Sequence, residues 1–384
     1  MRGFHKFLIV ILLFGSCTDP VEPSITPEIE NFSLVNLGQG ALNNDQVFGL
    51  EVFEDKMFFL NQSIPGFIDS NGMTDFSCCL NSGINSNFRP SFATNYILQP
   101  IENLIGFVVY PIDFFGGLRA LNFEELLGES GKNARIVSGN QPLPINLERN
   151  FELNGNYLML NVTTEDGIDR IWILEIDFGD GFGSLKLINK IEITSESLGV
   201  TTGNPQIGLV IRSVKTLEDR WIAHISKSGE DTASGGSYII SKEGSIQKLF
   251  GSQTGDSNFG FYDFTKISPN DFLITESPIG RISYSNSLIS STPQLIAEFN
   301  GPLIIRYFEE KAVFFIPGQS LIASLENFKT DGASNYQTME LDRTGLNSNR
   351  IYDLQFFNGK VYVATDNGIY SKSIENFWEE VRHP

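Results

Sequence analysis

A short pattern that returns along almost the whole chain constrains its fold more than any other feature. Near the C-terminus, "KVYVATDNGIYSKS" from Lys360 joins an apolar strand, a tight polar turn and a second strand. The same order of parts returns in "KMFFLNQSIPGFIDS" from Lys56, "LIGFVVYPIDFFGGLRAL" from Leu104 and "YLMLNVTTEDGIDRIWILEI" from Tyr157. It returns again in "RWIAHISKSGEDTASGGSYIIS" from Arg220, "DFLITESPIGRISYS" from Asp271 and "KAVFFIPGQSLIAS" from Lys311. Successive starts lie 40 to 63 residues apart. Short apolar runs punctuated by Gly, Pro, Asn and Asp indicate strands and hairpins rather than helices. Self-similarity at such a spacing means that one supersecondary unit is stacked on copies of itself.

Most units also carry an earlier strand: "VFGLEVF" from Val47, "GLVIRSV" from Gly208, "FYDFTKI" from Phe261, "LIIRYF" from Leu303 and "IYDLQFF" from Ile351. Turn-type pairs such as Glu54-Asp55, Pro269-Asn270 and Asn358-Gly359 separate it from the next strand. Asn-Gly supplies the positive φ angles of a two-residue hairpin. Each unit therefore predicts a meander of short antiparallel strands, the size of a four-stranded propeller blade. Seven units predict an all-β chain folded as a β-propeller of seven four-stranded blades, with six or eight as the range around that count. A lone blade leaves both sheet faces apolar, and ringed neighbours cover them. Thirty-two Phe against three Trp fit Phe as the filler between blades. "FSLVNL" from Phe32 and "FWEEV" from Phe377 are the candidate strands for closing the ring, and "LNFEELLGE" from Leu121 predicts a turn or two of helix at most. Tandem β-sandwiches are the competing fold. They account for the strand content but not for the regular period.

The last unit carries a family resemblance. "VYVATDNGIYS" resembles the repeats of bacterial two-component-regulator-type sensor propellers, with Thr365, Gly368 and Ile369 in place and Ala364 standing for the first Gly. It is also partly similar to the Asp-box of sialidases through Asp366 and Gly368, with Ala364 for Ser and Ser371 for the aromatic residue. Both resemblances imply a structural turn and leave Lys360 to Ser373 without a catalytic role.

The first sixteen residues, "MRGFHKFLIVILLFGS", place Arg2 and Lys6 before an apolar stretch and a small Gly15-Ser16 pair. That is the layout of a secretory signal peptide, and the stretch is shorter than the ~20 residues needed to span a bilayer. Cys17 follows directly, so the arrangement resembles the lipobox of bacterial lipoproteins, with Phe14 where that family usually has Leu. The resemblance implies lipidation at Cys17. Residues 17–30 are Pro-rich and acidic and suit an extended tether, leaving residues 31–384 for the propeller. Thr18, rather than Asp, follows Cys17, which by the same resemblance points to the outer membrane, on its periplasmic or cell-surface face.

The formal charge is −19, from 46 acidic and 27 basic residues. So acidic a surface repels phosphate backbones and anionic headgroups, so nucleic acid is not an expected partner and the membrane is met through the lipid alone.

Past the signal peptide the only histidines are His224 and His383, so a Ser/His/Asp set would have to use His224, whose expected place is packed or on the surface of the strand "WIAHIS". Histidine-rich metal centres are excluded by count. No strand leads into a Gly-rich helix start, which excludes Rossmann and P-loop sites. In "DGIDRIWILEIDFGDG", Asp177 and Asp180 are candidate Ca²⁺ ligands in a loop, at a spacing that matches no EF-hand. No other cofactor is expected. Cys78 and Cys79 are adjacent, so they form either a vicinal disulfide in a distorted turn or two separate thiols. The long polar stretches from Asn61 and Ser226 are candidate rim loops. Together these features predict a lipid-anchored, extracytoplasmic binding or interaction module whose partner is an envelope protein or a glycan or peptide ligand. The alternatives are a carboxylate-based hydrolase or lyase of glycans or lactones, with or without Ca²⁺, and a structural subunit of an envelope assembly.

Overall fold

A computed structural model describes residues 30–36, 46–53, 55–61, 65–69, 74–75, 91–93, 96–101, 103–111, 119–137, 150–179, 185–199, 208–228, 235–249, 260–277, 279–288, 293–328 and 336–379. Cys17, Cys78, Cys79, Asp180, His383, the signal peptide and all of the tether but Glu30 lie outside the described residues. Asn31–Pro384 makes one compact unit.

Seven antiparallel sheets follow one another along the chain, and six of them have four strands. Blade 1 holds Val47–Phe53, Lys56–Asn61, Pro65–Asp69 and Thr74–Asp75; blade 2 holds Ser91–Ala93, Tyr96–Pro100, Gly106–Pro111 and Arg119–Asn122. Blade 3 has Tyr157–Thr163, Asp169–Asp177 and Lys186–Ile193, with its first position shared by Arg135–Ile136 and Phe151–Asn154, which pair with different halves of Tyr157–Thr163. Blade 4 is Leu209–Leu217, Arg220–Lys227, Gly236–Ser241 and Ile246–Lys248, and blade 5 is Gly260–Lys266, Phe272–Ser277, Gly280–Ser285 and Gln294–Phe299. Blade 6 is Ile304–Phe308, Lys311–Phe315, Ile322–Glu326 and Gln337–Glu340. Blade 7 takes Ile351–Phe357, Lys360–Thr365 and Gly368–Ser373 from the C-terminal end and Ser33–Leu34 from the N-terminal end. The first strands of blades 2 to 7 pack each on the next, and that of blade 7 packs on that of blade 1, so these strands form the inner ring.

The recurring hairpin is thus the second and third strand of every blade. At Asn358-Gly359 both residues have positive φ, 47° and 71°, as a two-residue hairpin between twisted strands demands. Apolar side chains gather between successive blades: Phe107, Phe123, Phe151 and Trp172 fill the space between blades 2 and 3, and Phe299 and Phe314 meet between blades 5 and 6. Phenylalanine is the inter-blade filler expected from composition. The helical stretch from Leu121 is one short helix, Phe123–Leu127, capped by the Asn122 side chain at the Glu124 N–H, followed by a 3₁₀ turn over Gly128–Gly131.

Ring closure corrects one expectation. Ser33 and Leu34 pair with Ser371 and Tyr370, but Phe377–Glu379, the described part of the "FWEEV" segment, adds no strand. Ile374–Phe377 is a helical turn that seats Phe377, fully buried, edge-on against Phe32 at 6.3 Å and Phe356 at 5.9 Å. Two bulky aromatics in succession, Phe377 and Trp378, would point to opposite faces of a strand. The turn lets both rings pack on Phe356. Gly345 (φ +94°) permits the close pass of the N-terminal segment, since a Cβ there would lie 2.1 Å from the Phe32 carbonyl oxygen. Beneath the clasp, the fully buried Lys372 ammonium lies 3.4 Å from Asp342 and 3.6 Å from Glu379.

Candidate functional site

In six of the seven blades the inner strand carries a polar residue at one register position, which Phe264 occupies in blade 5. Glu51, Ser91, Glu152, Lys215, Arg306 and Gln355 each stand two residues before the last pair of the first hairpin in their blade. In four blades the first strand has a bulge just ahead of this position, after Val47, Ile211, Phe261 and Ile351. A bulge bends the strand and re-aims the next side chain. In blades 5 and 7 that residue is an aspartate, Asp263 or Asp353, each with none of its surface exposed.

These aspartates and two cations link four consecutive blades. The Lys215 ammonium donates to Asp263 Oδ1 at 2.6 Å, and Arg306 donates through Nη1 to Asp263 Oδ2 at 2.9 Å and through Nη2 to Asp353 Oδ1 at 2.8 Å. Each carboxylate also accepts from the backbone of the following blade: Ile305 N–H donates to Asp263 Oδ2 at 3.2 Å, and Leu50 N–H donates to Asp353 Oδ2 at 3.1 Å. The chain of contacts thus runs from blade 4 through blades 5, 6 and 7 to blade 1. Although burial disfavours its charge, Arg306 is held protonated well above the ordinary guanidinium range, by Asp353 first, then Asp263 and Glu51. Neutral side chains serve other joints: Ile211 N–H donates to Asn161 Oδ1 at 3.1 Å, Phe261 N–H to Ser237 Oγ at 3.0 Å and Leu153 N–H to Ser91 Oγ at 2.7 Å. A buried amide left without an acceptor is costly, so these side chains stitch one blade's inner strand to its neighbour. The Asp263–Arg306–Asp353 bridge escapes a search for motifs because its members are 43 and 47 residues apart. Its trace in the sequence is the Tyr-Asp pair repeated inside the apolar runs "FYDFTKI" and "IYDLQFF".

A second polar site opens on the flank of blade 3. A groove of about 480 Å³ is lined by Glu129, Ser130 and Lys132 of the 3₁₀ segment and its end, by Thr164, Glu165 and Asp166 of the next turn, and by Arg170, Trp172, Lys190 and Glu192 of the two outer strands. Arg170 reaches Asp166 at 2.5 Å and Glu192 at 2.9 Å. The Lys190 ammonium lies 3.7 Å from the centre of the Trp172 ring. The Thr164 hydroxyl, the Ile168 N–H and Arg170 hold the Asp166 carboxyl down to about 2. A carboxylate whose pKa falls on folding stabilises the fold above its unfolded pKa, and that contribution is lost as pH drops through the folded value. The contribution of Asp166 is therefore expected to be complete above pH 4 and to disappear towards pH 2. An NMR titration of its carboxyl carbon with a midpoint near 4 would contradict this.

Of the sequence candidates, Asp177 is exposed at the end of the third strand of blade 3, where its carboxylate accepts the Gly179 N–H at 2.8 Å, while Asp180 lies outside the described residues. His224 is buried at the joint of blades 4 and 5, 3.3 Å from Ser237 Oγ, and a Cβ on Gly260 would lie 2.3 Å from its Nε2. The packed position expected for His224 is the observed one, against blade 5. Asp366 accepts from Ser348 in the turn of the last hairpin, and Thr365 donates to the Gly368 carbonyl there at 2.9 Å. At the far end of the second strand of blade 5, burial pushes the Glu276 carboxyl up, against the pull of Arg281.

No helix among the described residues is long and apolar enough to cross a membrane. No protein-family model and no curated protein sequence matches the chain. Among solved structures, it is similar to the extracellular domain of what is designated the one component system BT4673 of B. thetaiotaomicron, with a TM-score of 0.51 and 12% identity. That match covers 90% of this chain and 40% of the other, so the chain spans less than half of that structure's length. Virginiamycin B lyase from Staphylococcus aureus, solved with quinupristin, aligns at a TM-score of 0.49 and 13% identity over 89% of this chain and 98% of that one. PorZ, a surface component of the type-IX secretion system of Porphyromonas gingivalis, aligns at 0.46 and 12% over 92% and 40%. At such identities the likeness is one of fold, and the fold is that of a seven-bladed β-propeller built from four-stranded antiparallel blades.

Proposed function

We propose that this propeller is a binding or interaction module of the cell envelope, carried outside the cytoplasm on a lipid at Cys17 and held at the outer membrane. The observation that carries the reading is the use made of the axis: the buried carboxylates Asp263 and Asp353, where a hydrolase would keep its acid and base, are bound by Lys215, Arg306 and backbone amides of adjoining blades. An axis locked in this way gives a rigid ring, and recognition falls to its rim and flanks. The partner is an envelope protein or a glycan or peptide ligand. The BT4673 domain with which the chain shares its fold is an extracellular one, in keeping with that placement.

A thermal-shift series of the chain against oligosaccharides, peptides, calcium and EDTA tests the reading. A ligand at 100 times its Kd adds about 2.7 kcal/mol of stability. A panel without any shift, together with failure to enrich any envelope protein over a denatured control, would sink it. Fractionation of a Cys17→Ser variant tests the anchor, which predicts its release from the membrane.

One observation favours the alternative of a glycan or lactone hydrolase or lyase. Burial raises the pKa of the Glu276 carboxyl, the direction in which a general acid is tuned. Glu276→Gln would then abolish turnover of any substrate found, while a pure binder would keep its affinity.

A further inference from the structure

The groove on blade 3 holds one charged group that the fold leaves unused. Arg170 is engaged by Asp166 and Glu192, Lys132 stands 3.8 Å from Glu129, and Asn133 donates to Glu165 at 3.3 Å. The Lys190 ammonium has neither a hydrogen bond nor an ion pair among the described residues and rests on the Trp172 ring. A cation over an indole face gains a modest attraction, but the ring accepts none of the three N–H donors in the way an oxygen would. Half-burial lowers the Lys190 pKa, Arg170 acts in the same direction and Glu192 opposes both. An acceptor arriving in the groove would meet a cation already in place and partly stripped of water.

The rim has the opposite sign. Four carboxylates, Glu129, Glu165, Asp166 and Glu192, face three cations across the groove, on a chain of net charge −19. A free anion is repelled by that field, and a free cation meets Lys190. A ligand with both charges, and room for a few residues in about 480 Å³, satisfies each end.

We propose that this groove binds a short peptide with free termini, its carboxylate on Lys190 and its ammonium on the rim formed by Glu129 and Glu165. The proposal rests on the reading of the chain as a binding module and assigns that module a site and a ligand class.

Calorimetric titration of the whole chain at low salt with triglycine, acetyl-triglycine-amide, acetate and chitotriose tests it. Triglycine is expected to bind at one site and the other three are not. Lys190→Gln is expected to weaken triglycine at least about tenfold and Glu165→Gln about fivefold, with both variants melting within a few degrees of the wild type. The assignment is overturned if triglycine fails to bind, if the blocked peptide binds equally well, if Lys190→Gln has no effect, or if chitotriose occupies the groove in its place. Binding of other ligands in the thermal-shift series would then leave the module reading standing without this site.

Discussion

Replacing Arg306 by Met is expected to lower folding stability by about 3–5 kcal/mol, the cost of stranding buried charge when one partner of an internal ion pair is removed. Asp263 and Asp353 are both wholly buried, and Arg306 is the cation that they share. After the substitution Asp263 keeps Lys215, so the loss falls mainly on Asp353, which retains its backbone donors Leu50 and Leu354. Arg306→Met combined with Asp353→Asn is therefore expected to recover part of the loss. Urea unfolding midpoints of the two variants decide the matter, with m checked for constancy. A loss below about 1 kcal/mol in the single variant would mean that water reaches the joint and screens it as at a surface.

The second large effect is expected at the clasp. Phe377→Ala removes a fully buried ring in contact with Phe32, Phe356 and Trp378. Deleting a core Phe costs about 3–5 kcal/mol. Phe32→Ala should cost a similar amount, because that ring is 4% exposed. In the double variant the two losses are expected to fall short of additivity by about 0.5–1.5 kcal/mol, the coupling typical of an aromatic pair. Strict additivity would show that the C-terminal turn and the N-terminal strand close the ring independently.

The blades were legible in the sequence because two signals coincide in each hairpin: short apolar runs and turn residues that tolerate positive φ. The first strands were harder to see. Five appear as apolar runs, but Ser91–Ala93 has three residues, and the inner position of blade 3 is divided between Arg135–Ile136 and Phe151–Asn154. Such short pieces take their form from the neighbouring strand rather than from their own pattern. The expected "FWEEV" strand failed for a related reason, since burying two adjacent rings on one side outweighs any local preference for extended backbone. The ion bridge and the groove depend on residues from different strands or different blades. Tyr262-Asp263 and Tyr352-Asp353 give a hint, because a carboxylate inside an apolar strand requires a partner, but only the closed ring shows that the partner is Arg306. In the groove, Trp172 and Lys190 belong to neighbouring strands of one blade, while Lys132 arrives from the connection that precedes it.

The pairing of Ser33 with Ser371 spans 338 residues. At the ribosome's pace of roughly 5–20 residues per second, the N-terminal strand emerges about 20–70 s before its partner exists. During that interval blades 1 to 6 are completed one after another, the sixth only at Glu340, with no blade 7 to close on. Phe32, later buried in the clasp, has no ring to receive it. Blade 7, made after the other six, therefore decides whether they become a closed ring or an aggregation-prone arc, and a chain truncated before Tyr370 would remain in the second state.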